Sequence, residues 1–190
     1  LALRMLHSCL IDADYLDTER HSDSQHSHSR KQSYRNTHEL WYSFHKAQEK
    51  LIANAKGDLN QRRKTMYEDA IQAAEYAPGF FSLTMPTGAG KTRTGMAFAL
   101  KHATLHRKRR VIVAIPFTSI IEQNADVYRK ILGVDQVLEH HSNLREEKSD
   151  ELTSGTMQDW RKLAAQNWDA PIVVTTNVQL FESLFACRNR

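Results

Sequence analysis

The clearest indication of the fold class is the sequence Phe80-Phe-Ser-Leu-Thr-Met-Pro-Thr-Gly-Ala-Gly-Lys-Thr92. Its first five residues, 80 to 84, form a short run rich in apolar side chains, which predicts a buried strand. From Gly90 onward the pattern predicts a helix, so the glycine-rich residues join a strand to a helix. A loop in this context that ends in Gly-Lys-Thr is typical of phosphate-binding loops. The stretch therefore predicts a nucleotide-binding domain of the α/β class.

Each part of this loop has a predicted chemical role. The glycines allow the backbone to curl until successive N–H groups converge on phosphate oxygens, and the helix start adds its positive dipole end. Lys91 is expected to reach the β- and γ-phosphates of ATP, and the Thr92 hydroxyl is expected to bind Mg²⁺. The general pattern has a further glycine where this chain has Met85. The predicted nucleotide-binding residues are Pro86, Thr87, Gly88, Ala89, Gly90, Lys91 and Thr92, with Lys91 and Thr92 also assigned to catalysis.

Short apolar runs recur after the loop and alternate with helical patterns. The runs at 111 to 115 and 172 to 175 predict two more buried strands, and 136 to 139 predicts a weaker one. Helical spacing of apolar residues appears at 91 to 104, 119 to 132 and 157 to 167. This order predicts a mostly parallel sheet that has helices on both faces and binds its ligands at the carboxyl ends of the strands.

The N-terminal part of the chain is organised differently. Residues 1–19 have leucines at helical spacing, Leu3, Leu6 and Leu10, and predict one helix that belongs to another core. Residues 20–36 are rich in Ser, His and Gln without periodicity, which predicts a linker. Residues 37–190 are then the main domain, which begins with two helices, the first of them capped by Asn36 and Glu39.

Composition limits the classes of protein to consider. Of the 190 residues, 41% are hydrophobic and 25% are charged, which is typical of folded globular domains and argues against global disorder. The net charge of +4 favours a polyanionic partner only weakly. Two cysteines without a metal-ligand spacing indicate no disulfide framework, and no apolar run reaches the ~20 residues that a membrane helix requires. We expect a cytoplasmic, monomeric protein without a membrane partner.

Hydroxyl-bearing residues follow two of the predicted strands and open the next helix in each case. Taken singly, each group fits a helix N-cap. Taken together, on the sheet edge that carries the phosphate loop, they fit a site for the sugar-phosphate backbone of nucleic acid. Both interpretations stay open from the sequence. The candidate residues are Pro116, Thr118, Ser119, Thr175, Thr176 and Asn177.

Two segments are candidates for metal binding. Asp14 lies one turn after Leu10 beside the apolar stripe of the first helix, where a carboxylate is costly unless a cation or hydrogen-bond donors meet it. It is therefore a candidate metal ligand, with pairing to Arg4 or to backbone groups as the alternative. In the run Glu139-His-His-Ser142, neighbouring side chains of an extended segment point to opposite faces, which favours a structural role over a metal site.

With these residues in place, nearly the whole chain resembles the large helicase-nuclease of type I CRISPR systems. The segment from Leu3 to Glu19 resembles the last helix of its HD nuclease domain, where the family has its final metal-binding Asp, matched here by Asp14. Pro86-Thr-Gly-Ala-Gly-Lys-Thr92 resembles helicase motif I. Ala114-Ile-Pro-Phe-Thr-Ser-Ile-Ile-Glu-Gln-Asn124 resembles motif Ia, and Ile172-Val-Val-Thr-Thr-Asn-Val-Gln-Leu-Phe-Glu-Ser-Leu184 resembles motif Ic. The resemblance implies a RecA-like P-loop NTPase domain, preceded by a helical remnant of an HD domain.

This resemblance also implies a function. Proteins of the family are recruited by an RNA-guided surveillance complex and degrade single-stranded DNA while they translocate with ATP. The implied cofactors are ATP and Mg²⁺ at the loop and a divalent transition metal at the HD site. The remaining HD ligands and the acidic motif II are not found in these 190 residues. We therefore expect this sequence on its own to bind nucleotide without nuclease activity or efficient ATP hydrolysis.

Two other functions remain open from the sequence. One is a superfamily 2 RNA helicase or a restriction-type translocase, which would share only the helicase motifs. The other is an isolated module that binds nucleotide or nucleic acid without turnover.

Overall fold

The computed structural model describes residues 2–22, 34–141 and 168–185. The chain divides into two compact units, the first made of residues 1–33 and 151–167 and the second of residues 34–150 and 168–190. The helix predicted at 157 to 167 lies outside the described residues. None of the helices in the described ranges combines the length and the apolar composition that a membrane-spanning helix needs.

In the first unit, the described residues form helix α1 (Ala2–Ser22). The helix predicted at residues 1–19 is confirmed, but its end was placed too early, because Arg20, His21 and Ser22 are also helical. Polar residues can prolong a solvent-exposed helix, and the His21 imidazole lies 3.9 Å from the Asp17 carboxylate one turn before it. Residues 20 to 22 of the predicted linker are therefore helical, and most of that linker lies outside the described residues.

The second unit begins with two helices. Helix α2 (Thr37–Ala53) starts with the predicted capping box, in which Glu39 N donates to Asn36 Oδ1 at 2.9 Å and Asn36 N donates to Glu39 Oε2 at 3.0 Å. Its apolar face buries Leu40 and Phe44 completely. Helix α3 (Asp58–Ala73) follows and buries Tyr67. Both helices therefore contribute to the core of this unit.

Three parallel strands form the described sheet: β1 (Val111–Ile115), β2 (Val137–His140) and β3 (Ile172–Thr176). Their order is β1-β3-β2, so β3 lies in the middle and pairs with both of the others. The helices α4 (Lys91–Leu105), α5 (Thr118–Leu132) and α6 (Asn177–Phe185) belong to the same unit. The parallel sheet and its alternation with helices confirm the predicted α/β fold class.

One face of the sheet packs against the helices. Val111, Ile172 and Val137 are register partners and belong to a buried cluster with residues of α2, α4 and α5. Successive side chains of a strand point to opposite faces, so the next register partners, Ile112, Val173 and Leu138, belong to the other face. There Val173 is buried, but Ile112 is 41% exposed. The prediction of helices on both faces is thus confirmed for one face. On the other face, Ile112 of β1 is exposed to solvent.

The strand predicted at residues 80 to 84 is not formed. The segment has no regular secondary structure, and Phe80 is fully exposed. A strand requires a hydrogen-bonded neighbour, and the three strands of the described ranges pair only with one another. The Phe81 ring instead packs edge-on against Phe98 of α4, with ring centroids 5.0 Å apart. The phosphate loop is therefore reached through an irregular connection.

Candidate nucleotide site at the phosphate loop

The loop between residues 85 and 92 holds two glycines in backbone conformations that other residues rarely adopt. Gly88 has a φ of 78° and Gly90 a φ of 93°. A Cβ at either position would meet no other described atom within 4 Å, so the backbone angle and not a lack of space favours glycine. Gly90 is also the N-cap of α4, which begins at Lys91. The loop therefore leads into a helix start whose first N–H groups lack intrahelical partners, which is the arrangement typical of phosphate-binding helix starts.

Lys91 contacts the loop that precedes it. Its Nζ donates to the carbonyl of Met85 at 3.1 Å. The Met85 side chain is only 7% exposed, so the residue that replaces the expected glycine is anchored in the interior while its carbonyl accepts from the lysine. The Lys91 ammonium is thus kept at the loop, where it can exchange a carbonyl for phosphate oxygens.

The Thr92 hydroxyl contacts helix α5. Thr92 Oγ1 donates to Asn124 Oδ1 at 3.0 Å, and the Tyr128 hydroxyl donates to the Thr92 carbonyl at 3.5 Å. Burial raises the pKa of Tyr128 to about 12, so this phenol keeps its proton at neutral pH. The site fits Mg²⁺, because the Thr92 oxygen retains lone pairs while its proton is donated to Asn124.

Helix α3 contacts the loop through a residue that sequence reasoning missed. The Arg63 guanidinium donates to the Gly88 carbonyl from Nε at 3.1 Å and from Nη2 at 2.6 Å. Its Nη1 donates to Asn60 Oδ1 at 3.0 Å, and Asn60 Nδ2 donates to the Lys56 carbonyl at 2.7 Å. The sequence signal is an ordinary basic pair, Arg62-Arg63, of the kind that many surface helices carry.

A cavity of about 230 Å³ lies between α2, α3 and the loop. Its lining combines apolar side chains such as Leu51 and Ile52 with Arg63 and with the glycine-rich part of the loop. At its wall, Arg93 Nε donates to Gln48 Oε1 at 2.6 Å, and burial lowers the pKa of Arg93. An apolar cavity with a few polar groups beside a phosphate loop suits the remaining part of a nucleotide.

The first group of predicted backbone-binding residues lies between β1 and α5. The helix begins at Thr118, with Phe117 as its N-cap and without a side-chain cap. The alternative that Thr118 or Ser119 caps this helix is therefore wrong. Pro116 and Ser119 are exposed, and Thr118 is half-buried, so these residues are accessible at the carboxyl end of the strand.

The second group follows β3, which is the parallel neighbour of β1. The Thr176 hydroxyl accepts from Gln179 N at 3.0 Å, which confirms the N-cap interpretation for this residue. Thr175 is fully buried, and its hydroxyl donates to the His140 carbonyl at 2.7 Å. Thr175 is therefore inside the sheet and not on the surface where we predicted it, whereas Asn177 is exposed.

A buried polar cluster lies at the end of β2. His141 Nε2 and Glu139 Oε1 are 3.0 Å apart, and Arg129 Nη1 lies 2.8 Å from Glu139 Oε2. Residues 139 and 141 are two apart on an extended segment and so share a face, which the reasoning from immediate neighbours missed. With Glu122 they place three potential ligand atoms within 4.8 Å of one another. The Arg129 cation already pairs with Glu139, which favours the structural role predicted for this run.

Asp14 is exposed on α1. Across the described part of the chain, it belongs to no group of three His, Cys, Asp or Glu side chains that lie close enough to hold an ion. Leu3, Leu6 and Leu10 on the same helix are exposed as well. The metal role of Asp14 therefore stays a prediction.

The parallel sheet, the glycine-rich loop and the helix start at Lys91 define the class of protein, an α/β domain of the RecA-like P-loop type. The chain belongs to the family described as type III restriction enzyme, res subunit, which matches residues 42–188. It is 30% identical to the CRISPR-associated nuclease/helicase Cas3 of Haloferax volcanii over 156 aligned positions, which cover 70% of this chain and 17% of that protein. This match confirms the predicted resemblance to the CRISPR helicase-nucleases.

Proposed function

We propose that this chain is the ATP-binding part of an ATP-dependent DNA helicase or translocase, coupled to a metal-dependent single-strand DNA nuclease in CRISPR antiviral defence. The observation that carries the nucleotide half is the loop, where Gly88 and Gly90 have positive φ and Lys91 opens a helix. Support for the helicase, nuclease and CRISPR parts comes from the relative that is described as a CRISPR-associated nuclease/helicase. The proposed recruiting partner is an RNA-guided surveillance complex.

In this proposal, the chain's own residues bind and orient the nucleotide. Backbone N–H groups of the loop and of the first turn of α4 hold the phosphates. Lys91 exchanges its contact with the Met85 carbonyl for phosphate oxygens and offsets their charge. Arg63 holds the Gly88 carbonyl and so keeps the loop curled. Mg²⁺, when bound, supplies charge neutralisation at the terminal phosphates, and the Thr92 hydroxyl is its ligand in this chain.

The test is ATP hydrolysis by the complete protein, measured with and without single-stranded DNA. Lys91→Ala is expected to abolish the DNA-stimulated turnover, since its ammonium is the group that binds the terminal phosphates. Lys130→Ala, which removes an exposed lysine from α5, is the matched control and should keep the wild-type rate. Unchanged turnover in Lys91→Ala would exclude the proposed site.

The ends of β1 and β3 are the proposed contact for the sugar-phosphate backbone of single-stranded DNA. Thr175 is left out because its hydroxyl is buried within the sheet. A double change, Thr118→Ala with Ser119→Ala, should weaken DNA binding and leave nucleotide affinity unchanged. Undiminished DNA binding would rule out this edge. The proposed residues are Pro116, Thr118, Ser119, Thr176 and Asn177.

The nuclease half of the proposal assigns a divalent transition metal to Asp14 in the complete protein. Metal-dependent cleavage of single-stranded DNA should be lost in Asp14→Ala. It should be retained in Asp17→Ala, which removes another exposed carboxylate from the same helix. Cleavage that survives Asp14→Ala would favour the second candidate function, a restriction-type translocase or an RNA helicase. The description of the matching family supports the restriction-type translocase.

A further inference from the structure

We propose that Asn124 is a positioning residue for the Mg²⁺ ligand Thr92. The inference rests on the proposed function, because it requires a nucleotide and its cation at the loop. Asn124 lies on α5, 32 residues after Thr92, and joins the loop only in the folded chain. It stands outside the phosphate-loop pattern, which ends at Thr92 itself.

The hydrogen bond between these two side chains fixes the position of the threonine proton. A threonine hydroxyl has one proton and two lone pairs, and a metal ion can take only a lone pair. Thr92 Oγ1 donates that proton to Asn124 Oδ1 at 3.0 Å. The proton is therefore directed toward α5, and the lone pairs remain available to a cation.

The acceptor is held in place by the packing of its helix. Ile121 and Ala125 are fully buried on either side of Asn124, and Tyr128, one turn further on, is 3% exposed. The Tyr128 hydroxyl donates to the backbone carbonyl of Thr92 at 3.5 Å. Two residues of one helix face thus contact both the side chain and the backbone of Thr92. Such support matters because an outer partner that orients a metal ligand determines how well the ligand binds.

The experiment measures the affinity of the complete protein for a fluorescent ADP, once with Mg²⁺ and once with a chelator. Asn124→Leu replaces the amide with an apolar side chain of similar size, and the gain in affinity from Mg²⁺ should fall about tenfold. Affinity in the chelator should stay unchanged, since the backbone N–H groups and Lys91 bind phosphates without a metal. Asn124→Asp keeps an acceptor and should restore the gain. Gln123→Ala changes an exposed neighbour and should match the wild type.

Three results would overturn the inference. The first is an undiminished gain from Mg²⁺ in Asn124→Leu. The second is an equal loss of affinity with and without Mg²⁺, which would indicate a general structural role. The third is a failure of Asn124→Asp to restore the gain. A wild-type protein that binds no nucleotide under either condition would instead refute the proposed function.

Discussion

At the scale of single residues, Arg63 connects helix α3 to the loop. Two of its guanidinium nitrogens donate to the Gly88 carbonyl, and the third donates to Asn60. Hydrogen bonds from an ionised donor are roughly twice as strong as those between neutral groups. The contact therefore stabilises the curled conformation of the loop before any ligand binds.

Removing this contact should weaken nucleotide binding. Arg63→Ala is expected to raise the Kd for ADP with Mg²⁺ about tenfold, because the loop loses charge-assisted hydrogen bonds and then samples conformations that do not bind. Arg62→Ala is the matched control, since it removes the same charge from the exposed neighbouring residue. Isothermal titration of both variants gives the comparison. Equal affinities for the two would show that the bond to Gly88 contributes nothing.

Because of Tyr128, the free energy of unfolding of the domain should decrease at alkaline pH. Burial raises its pKa from 10.0 to about 12, so between these values the folded domain holds a proton that the unfolded chain has released. The stabilisation is fully present below pH 10 and falls as the pH rises toward 12, by at most about 1.4 kcal/mol per pH unit. In urea unfolding, Tyr128→Phe should lose stability less steeply over this window.

The control for this pH effect is Tyr42→Phe, which changes an exposed tyrosine and should lose stability as steeply as the wild type. Burial also raises the pKa of Tyr67, so part of the slope will remain in Tyr128→Phe. Identical slopes in Tyr128→Phe and the wild type would contradict the assigned role of burial.

Residues of the site could be predicted from the sequence where their role depends only on their neighbours in the chain. Gly88, Gly90 and Lys91 lie within one short pattern, and the backbone angles and the helix start follow from that pattern. Arg63 and Asn124 contact the loop across 25 and 32 residues of sequence. An arginine or asparagine on a helix face has no local signal for such a partner, so these contacts required the structure.

At the scale of elements, helix α2 depends on contacts between neighbouring residues, whereas a strand at 80 to 84 would depend on contacts with distant residues. The side chains of Asn36 and Glu39 each accept a hydrogen bond from the backbone N–H of the other residue, three positions away. The start of α2 could therefore be predicted. The segment at 80 to 84 has the composition of a strand, but a strand forms only when another strand pairs with it. Pairing depends on distant parts of the chain, and among the described residues no strand pairs with this segment.

The capping box makes a measurable contribution to the stability of α2. Asn36→Ala should lower the free energy of unfolding by about 1 kcal/mol, because the Glu39 N–H at the helix start loses its acceptor, the Asn36 Oδ1. His38→Ala, at an exposed residue of the same turn, should have a much smaller effect. Thermal unfolding monitored by circular dichroism compares the two. Equal effects would mean that the box does not stabilise the helix.

At the scale of the whole second unit, the strand order β1-β3-β2 places the ends of β1 and β3 side by side. Helix α5 begins at that edge with Thr118 and holds Thr92 through Asn124 further along. The two positions on the helix are about 9 Å apart, at a rise of roughly 1.5 Å per residue. One helix thus connects the proposed DNA edge with the proposed nucleotide loop.

We propose above all that the loop at residues 85 to 92 binds nucleotide phosphates. The most direct measurement is the equilibrium binding of ADP with Mg²⁺ to the wild-type protein and to Lys91→Ala by isothermal titration. The wild type should bind, and Lys91→Ala should bind at least about tenfold more weakly, because the charge-assisted contact to the phosphates is lost. Wild-type protein that does not bind, or Lys91→Ala with undiminished affinity, would contradict the claim.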